Sequence, residues 1–172
     1  MEIGIISDTH LDSTANYSGL YKRIEQAFAE VDLILHAGDI TNIAFINDLE
    51  RIAPVEAVAG NVDDSTIHER FATFRKLELY HKNIGLIHIM PSFSFVKQEN
   101  LDILISGHTH IPLIKEFYEL NHGFLYLNPG SPTHPKAPPL NTRYQVQRKP
   151  LPTVIILDLD EELSSAYIVT LR

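Results

Sequence analysis

Across residues 2–59, short apolar runs alternate with segments of helical period, and that rhythm admits few folds. Residues 2–7 (EIGIIS) form an apolar, β-branched run that stops at Asp8. Residues 19–30 place Leu20, Ile24, Ala27 and Phe28 at helical spacing with charges between them. Residues 32–37 (DLILHA) read as a buried strand, and 42–52 as a second amphipathic helix with Asn42 as its N-cap. Residues 54–59 (PVEAVA) are a third strand. The order β-α-β-α-β with short connections predicts parallel strands joined by right-handed crossovers, with helices packed on the sheet.

The rhythm then changes. Residues 73–80 and 83–88 read as strands around a turn at His81–Asn83, 92–100 as a short helix and 102–106 as a strand. Residues 112–120 and 123–128 suggest a hairpin around Asn121–His122–Gly123. Residues 153–160 and 165–171 suggest another, with Glu161–Ser164 in the turn. A parallel start and an antiparallel finish imply two sheets packed together with helices outside. With 172 residues there is room for one substantial core, so 1–172 reads as a single domain. The N-terminal apolar run is too short for a signal peptide, and no stretch reaches the length of a membrane span, so a cytoplasmic protein is expected.

Composition narrows the chemistry. The chain has no cysteine, which excludes disulfide scaffolds, zinc ribbons, iron–sulfur sites and cysteine nucleophiles. Its 22 acidic and 14 basic residues make a broad basic nucleic-acid surface, and hence a double-stranded nucleic acid partner, unlikely. Residues 129–152 depart from the rest: they hold seven of the ten prolines and no acid, but carry Lys136, Arg143, Arg148 and Lys149. This is read as a proline-stiffened surface loop. A basic flap over an anionic ligand, or a contact in a homo-oligomer, are the alternatives.

Nine histidines make their placement the useful question. Five apolar runs each hand over to a residue able to ligate a metal. They end in Asp8-Thr-His10, in Gly38-Asp39, in Gly60-Asn61, in His88, and in Gly107-His108-Thr-His110. In α/β sheets ligands gather at the carboxyl ends of strands, where loops diverge. Asp8 and His10 are two apart, as are His108 and His110, so each pair shares a face in extended chain. Each block alone has an ordinary reading as a turn, a cap or a satisfied core histidine. Together they offer three oxygen donors and four imidazoles, too many for one ion with an open position. Two ions roughly 3.5–4 Å apart would use them all, given a bridging carboxylate. His36 reads as buried and hydrogen-bonded, and as a candidate for orienting a ligand. His68, His81, His122 and His134 read as surface residues.

These blocks resemble the calcineurin-like metallophosphoesterases, whose pattern runs Asp-x-His, Gly-Asp, Gly-Asn-His-Asp/Glu, His, Gly-His-x-His. The chain looks like the small single-domain phosphodiesterase branch of bacteria and archaea, with the resemblance covering residues 2–131 and including Asn128-Pro-Gly-Ser131. The family implies an α/β fold, an αββα four-layer sandwich of two mixed β-sheets packed face to face with helices outside. It implies two divalent cations, manganese first, with nickel, iron or zinc as alternatives. Carried over by motif, Asp8, His10, Asp39 and His110 would hold one ion. Asp39, Asn61, His88 and His108 would hold the other, with Asp39 bridging. A metal-bridging hydroxide would attack phosphorus in a small phosphodiester, with Asp39, Asn61 and His108 in the catalytic set. A phosphomonoesterase or nucleotide-cleaving hydrolase, or a non-catalytic scaffold of the same fold, are the alternatives.

Two positions depart from the family pattern. Val62 stands where His often follows Gly-Asn, and Ile89 where Gly often follows the lone His. The missing His is commonly credited with protonating the leaving group; Asp63, Asp64 and His68 are candidate substitutes. Ile89 predicts a reshaped substrate mouth.

Overall fold

The structure is a computed structural model that describes residues 1–12, 14–119, 121–138, 149–162 and 164–172. The central part of the proline-rich loop, 139–148 with Arg143 and Arg148, lies outside the described residues, as does Leu163 in the expected last turn.

The first elements are β1 (Glu2–Ile6), α1 (Ser18–Ala27), β2 (Leu33–His36), α2 (Ile43–Leu49) and β3 (Val55–Ala57). β1, β2 and β3 pair in parallel as the rhythm predicts. The chain's last hairpin, β9 (Thr153–Leu159) and β10 (Ser164–Thr170), joins the same sheet antiparallel to β1, giving the order β10-β9-β1-β2-β3. The second sheet is built from β4 (Phe74–Leu79), β5 (Lys82–Ile87), β6 (Ile103–Ile105), β7 (Leu113–Glu119) and β8 (His122–Asn128), in the order β4-β5-β6-β8-β7. Its centre, β5-β6-β8, is parallel, and both edges are antiparallel.

Side-chain alternation separates the layers. Ile3 and Ile5 of β1, Leu35, Ile103 and Ile105, and Ile155 and Leu157 of β9 meet between the sheets. The opposite face of the first sheet, with Ile6, Ile34 and Ile156, packs against Ile24 and Phe28 of the α1 segment and Phe45 and Leu49 of α2. Leu104 and Phe124, on the outer face of the second sheet, meet Val96 of α4 (Phe93–Gln98). Both faces of the central strands are therefore buried, which is why they read as continuous apolar runs rather than alternating ones. The result is the αββα arrangement.

Asn42 caps α2 as expected, its side chain accepting from the Ala44 N–H at 3.0 Å. Local features differ from expectation at four places. His122 and Gly123 lie in β8, with Glu119 opposite His122, rather than in the turn before it, and Ser164 lies in β10 opposite Leu159. The β4–β5 turn falls at Tyr80 and His81, with Leu79 opposite Lys82, not at His81–Asn83. A short helix, α3 (Ser65–Arg70), follows β3, with Asp64 as its N-cap accepting from Ile67 N–H at 3.1 Å. Six residues with one buried apolar side chain, Ile67, are too few to show a period. Among the described residues, no helix is long and apolar enough to cross a membrane.

Candidate metal centre

The five runs that end in candidate ligands are β1, β2 and β3 of one sheet and β5 and β6 of the other. Their carboxyl ends meet at one edge of the sandwich. Backbone bonds tie the loops together there: Asp8 N–H donates to Gly38 O at 3.0 Å, His10 N–H to Asp39 O at 3.3 Å, and Gly107 N–H to His88 O at 3.0 Å.

The side chains converge. Asp39 Oδ2 lies 3.2 Å from His88 Nε2 and 3.5 Å from His10 Nε2. Asp8 Oδ1 lies 3.3 Å from His110 Nε2 and 3.8 Å from His10 Nε2, and the Nε2 atoms of His10 and His110 are 3.2 Å apart. Two tight groups result, Asp8-His10-His110 and Asp8-Asp39-His88. Asn61 and His108 sit at the open side: His108 Nδ1 is 3.0 Å from Asn61 Oδ1, and its ring stands 5.3 Å from that of His88. All seven residues named from the sequence thus share one region. Asp8, Asp39 and His88 are buried, and Asn61 and His108 face solvent.

These contacts fit cations. Ligand bonds of about 2.0–2.2 Å at tetrahedral or octahedral angles put donor atoms about 3–3.5 Å apart, close to the spacing seen. His88 Nδ1 donates to the Ala37 carbonyl at 2.8 Å, which leaves Nε2 facing the Asp39 carboxylate. That buried Nε2 lacks the alignment of a hydrogen bond with any described group. His110 Nδ1 likewise donates to the His134 carbonyl at 2.7 Å, so its Nε2 points at Asp8. Carbonyls behind imidazoles fix the tautomer that presents Nε2 to a metal.

The electrostatics divide the four central groups: the shifts of Asp39 and His10 favour the deprotonated forms a metal needs, and those of Asp8 and His88 the protonated ones. Burial raises the Asp8 pKa, and the Ser7 hydroxyl, His88 and His110 offset this only in part. For Asp39 burial also acts upward, but His88, the Val62 N–H and His10 outweigh it and hold the carboxyl below its ordinary value. Burial pushes His88 down, yet Asp39 and the Ala37 carbonyl prevail and raise it. For His10 burial wins over Asp39 and Asp8, lowering its pKa and favouring the neutral ring a metal needs.

The backbone at the site is unusual. Asp8, His10, Asp39, His108 and His110 all have left-handed φ, between 43° and 66°. Such conformations cost non-glycine residues of order 1–3 kcal/mol each and cluster at functional sites. Gly60 is required by close approach, because a Cβ there would collide with the Asp39 carboxylate.

Several residues named from the sequence take supporting positions here. Asp63 is a clamp: Oδ1 accepts from Thr41 N–H and Oδ2 from Gly60 N–H, both at 2.7 Å. It joins the loops that carry Asp39 and Asn61, so it does not serve as the substitute acid. Asp63→Ala should cost about 3–6 kcal/mol, the worth of two hydrogen bonds to a carboxylate, measured by urea unfolding. Asn128 donates to Gly107 O at 2.7 Å, and Ser131 Oγ to Asp8 O at 2.7 Å. The Asn-Pro-Gly-Ser segment thus straps the ligand loops of the two sheets together. His134 is exposed as expected, but its ring stands 5.4 Å from that of His10. His68, also exposed, lines a cavity that reaches Asn61 and His88. His36 is fully buried with Nε2 3.2 Å from Thr9 Oγ1, between two candidate ligands. Thr9 in turn donates to Ile40 O at 3.0 Å.

Comparison with known proteins agrees with this architecture. The calcineurin-like phosphoesterase superfamily domain matches residues 1–162. A probable metallophosphoesterase of Methanothermobacter thermautotrophicus is 37% identical, over 98% of this chain and 92% of that protein. The chain belongs to the calcineurin-like phosphoesterase superfamily. Among solved structures, Vps29 complexed with zinc from Entamoeba histolytica superposes with a TM-score of 0.73 at 24% identity, covering 99% of this chain and 93% of that one. A novel archaeal phosphodiesterase gives a TM-score of 0.69 at 23% identity, covering 98% and 100%. Likenesses at that identity establish the fold.

Proposed function

We propose that this protein is a phosphodiesterase that works with two divalent cations on small phosphodiesters. Asp8, His10, Asp39 and His110 would hold one cation, and Asp39, Asn61, His88 and His108 the other. The observation that carries the reading is the position of Asp39 Oδ2, within 3.5 Å of an imidazole nitrogen on either side. When bound, such a pair supplies Lewis-acid charge and a water that ionises near neutral pH. The chain's own residues supply the frame. Asp8 is common to the two groups, Asp39 Oδ2 reaches toward both His10 and His88, and His108 N–H donates to both carboxylate oxygens of Asp8, at 3.0 and 3.1 Å, holding it in place. Asn61 and His108 line the solvent-facing side, where an ester can enter. The ligand types suit manganese, nickel, iron or zinc, and cellular supply decides among them; manganese is the first choice. The archaeal phosphodiesterase of the same fold supports the diester assignment.

Val62 cannot donate a proton where the family often has His, and general acid help is typically worth about 10²–10⁴-fold. Leaving groups that need no proton should therefore be favoured. The test is metal analysis of the purified protein, followed by rates with each divalent ion. Bis-p-nitrophenyl phosphate should turn over at least about 10²-fold faster, relative to its uncatalysed rate, than a dialkyl diester. Equal enhancement would show that another group supplies the proton. The alternative reading is a non-catalytic, protein-binding platform of the same fold. Against it stands the full complement of seven donors, and absence of tightly bound metal and of turnover would decide for the platform.

A further inference from the structure

Beside the candidate metal centre lies a cavity of about 280 Å³. Ile87, Ile89, Thr73 and His68 line it together with Asn61 and His88, so two candidate metal ligands form one of its walls. Most of its surface is apolar. It lies on the side of the centre where Asn61 and His108 face solvent.

One of the two departures from the family pattern, Ile89, falls at this place. Ile89 is 48% exposed and lines the cavity; Val62, next in the chain to Asn61, is 51% exposed. A single exposed aliphatic residue on a protein surface needs no explanation. Here, however, Ile89 and Ile87 line a cavity whose wall includes two candidate metal ligands, Asn61 and His88. An apolar cavity of about 150 Å³ already takes up a benzene ring. The volume here suits one substituted aromatic ring, and not an extended polymer.

We propose that this cavity seats an aromatic arm of the phosphoester, an aryl or nucleobase ring, while the phosphoryl group lies on the metal centre. The proposal rests on the phosphodiesterase reading above and adds the class of ester it selects. The phosphoryl group supplies charge that any diester shares. Ile87 and Ile89 then discriminate by the ring, and His68 offers an imidazole to a polar edge of it. Burying one ring should be worth about ten- to a hundredfold in affinity.

The test uses two small probes that differ only in the arm. Phenylphosphonate should inhibit the manganese-loaded enzyme about ten- to a hundredfold more tightly than methylphosphonate. In chelator-treated protein, phenylphosphonate should shift the amide resonances of Thr73, Ile87 and Ile89, and methylphosphonate should not. Thr73→Trp fills the cavity from an exposed position, and Ile89→Asp makes its mouth polar. Each should reduce the preference to within about threefold, with far-ultraviolet circular dichroism unchanged. Equal inhibition by the two probes, or a preference that survives both substitutions in folded protein, overturns the assignment while turnover of bis-p-nitrophenyl phosphate keeps the parent reading. Absence of turnover with every cation removes that reading, and the aromatic ester with it.

Discussion

Asp39→Asn is expected to lower kcat on bis-p-nitrophenyl phosphate by about 10³-fold or more while leaving a folded protein. The reason is positional. Asp39 is the carboxylate whose Oδ2 approaches both His10 and His88. An amide there loses the negative charge and one of the two equivalent oxygens, so the protein should retain one equivalent of metal or less. The fold should tolerate the change for two reasons. The Val62 N–H that donates to Asp39 Oδ1 at 3.1 Å can still donate to an amide oxygen. Asparagine also accepts the left-handed backbone at this position more readily than most residues. Metal stoichiometry and steady-state kinetics on the same preparation check the result. A variant that keeps both its rate and two equivalents of metal would falsify the dinuclear assignment.

The second large effect concerns acid. His36 is fully buried, and desolvation, followed by the nearby His88, lowers its pKa to about 3. The unfolded chain protonates a histidine near pH 6.5. Between those values the unfolded state binds a proton that the folded state refuses, so stability rises with pH through this window. The contribution is complete above about pH 6.5 and falls away toward about pH 3, by about 4–5 kcal/mol in total. Asp39, with its lowered pKa, also loses stability as the pH falls, whereas the raised values of Asp8 and His88 act in the opposite direction. A difference measurement is therefore needed. His36→Gln keeps a donor for Thr9 Oγ1 and removes the titration. Urea unfolding from pH 7 to 4 should show the variant's stability falling less steeply than that of the parent, by up to about 1.4 kcal/mol per pH unit. Parallel curves would mean that His36 is not held neutral in the folded state.

The strands and most of the donor set could be read from the residues because both depend on local pattern. β1, β2, β5 and β6 are covered on both faces and β3 on the face that carries Val55 and Ala57, so each is a short run whose end is legible. The donors come immediately after those ends. Other features leave no such trace. The Tyr80–His81 turn needs two residues of positive φ, and neither Tyr nor His announces it as Asn-Gly would. α3 is too short to display a period. The Asp63 clamp depends on the meeting of two loops, its bond to Thr41 spanning 22 residues, so it is visible only in three dimensions. His134 and His68 occupy polar contexts that read as surface, and they are at the surface. Their nearness to the metal centre comes from how loops of different sheets fold over it.

The left-handed conformations of Asp8, His10, Asp39, His108 and His110 carry an evolutionary corollary. At each of these positions glycine would relax the backbone, and every such relaxation would discard a donor. A lineage released from selection for turnover would thus gain robustness with each ligand it abandoned. Return would require reinstating strained residues several at a time, so the descent from hydrolase to inert platform should run in one direction.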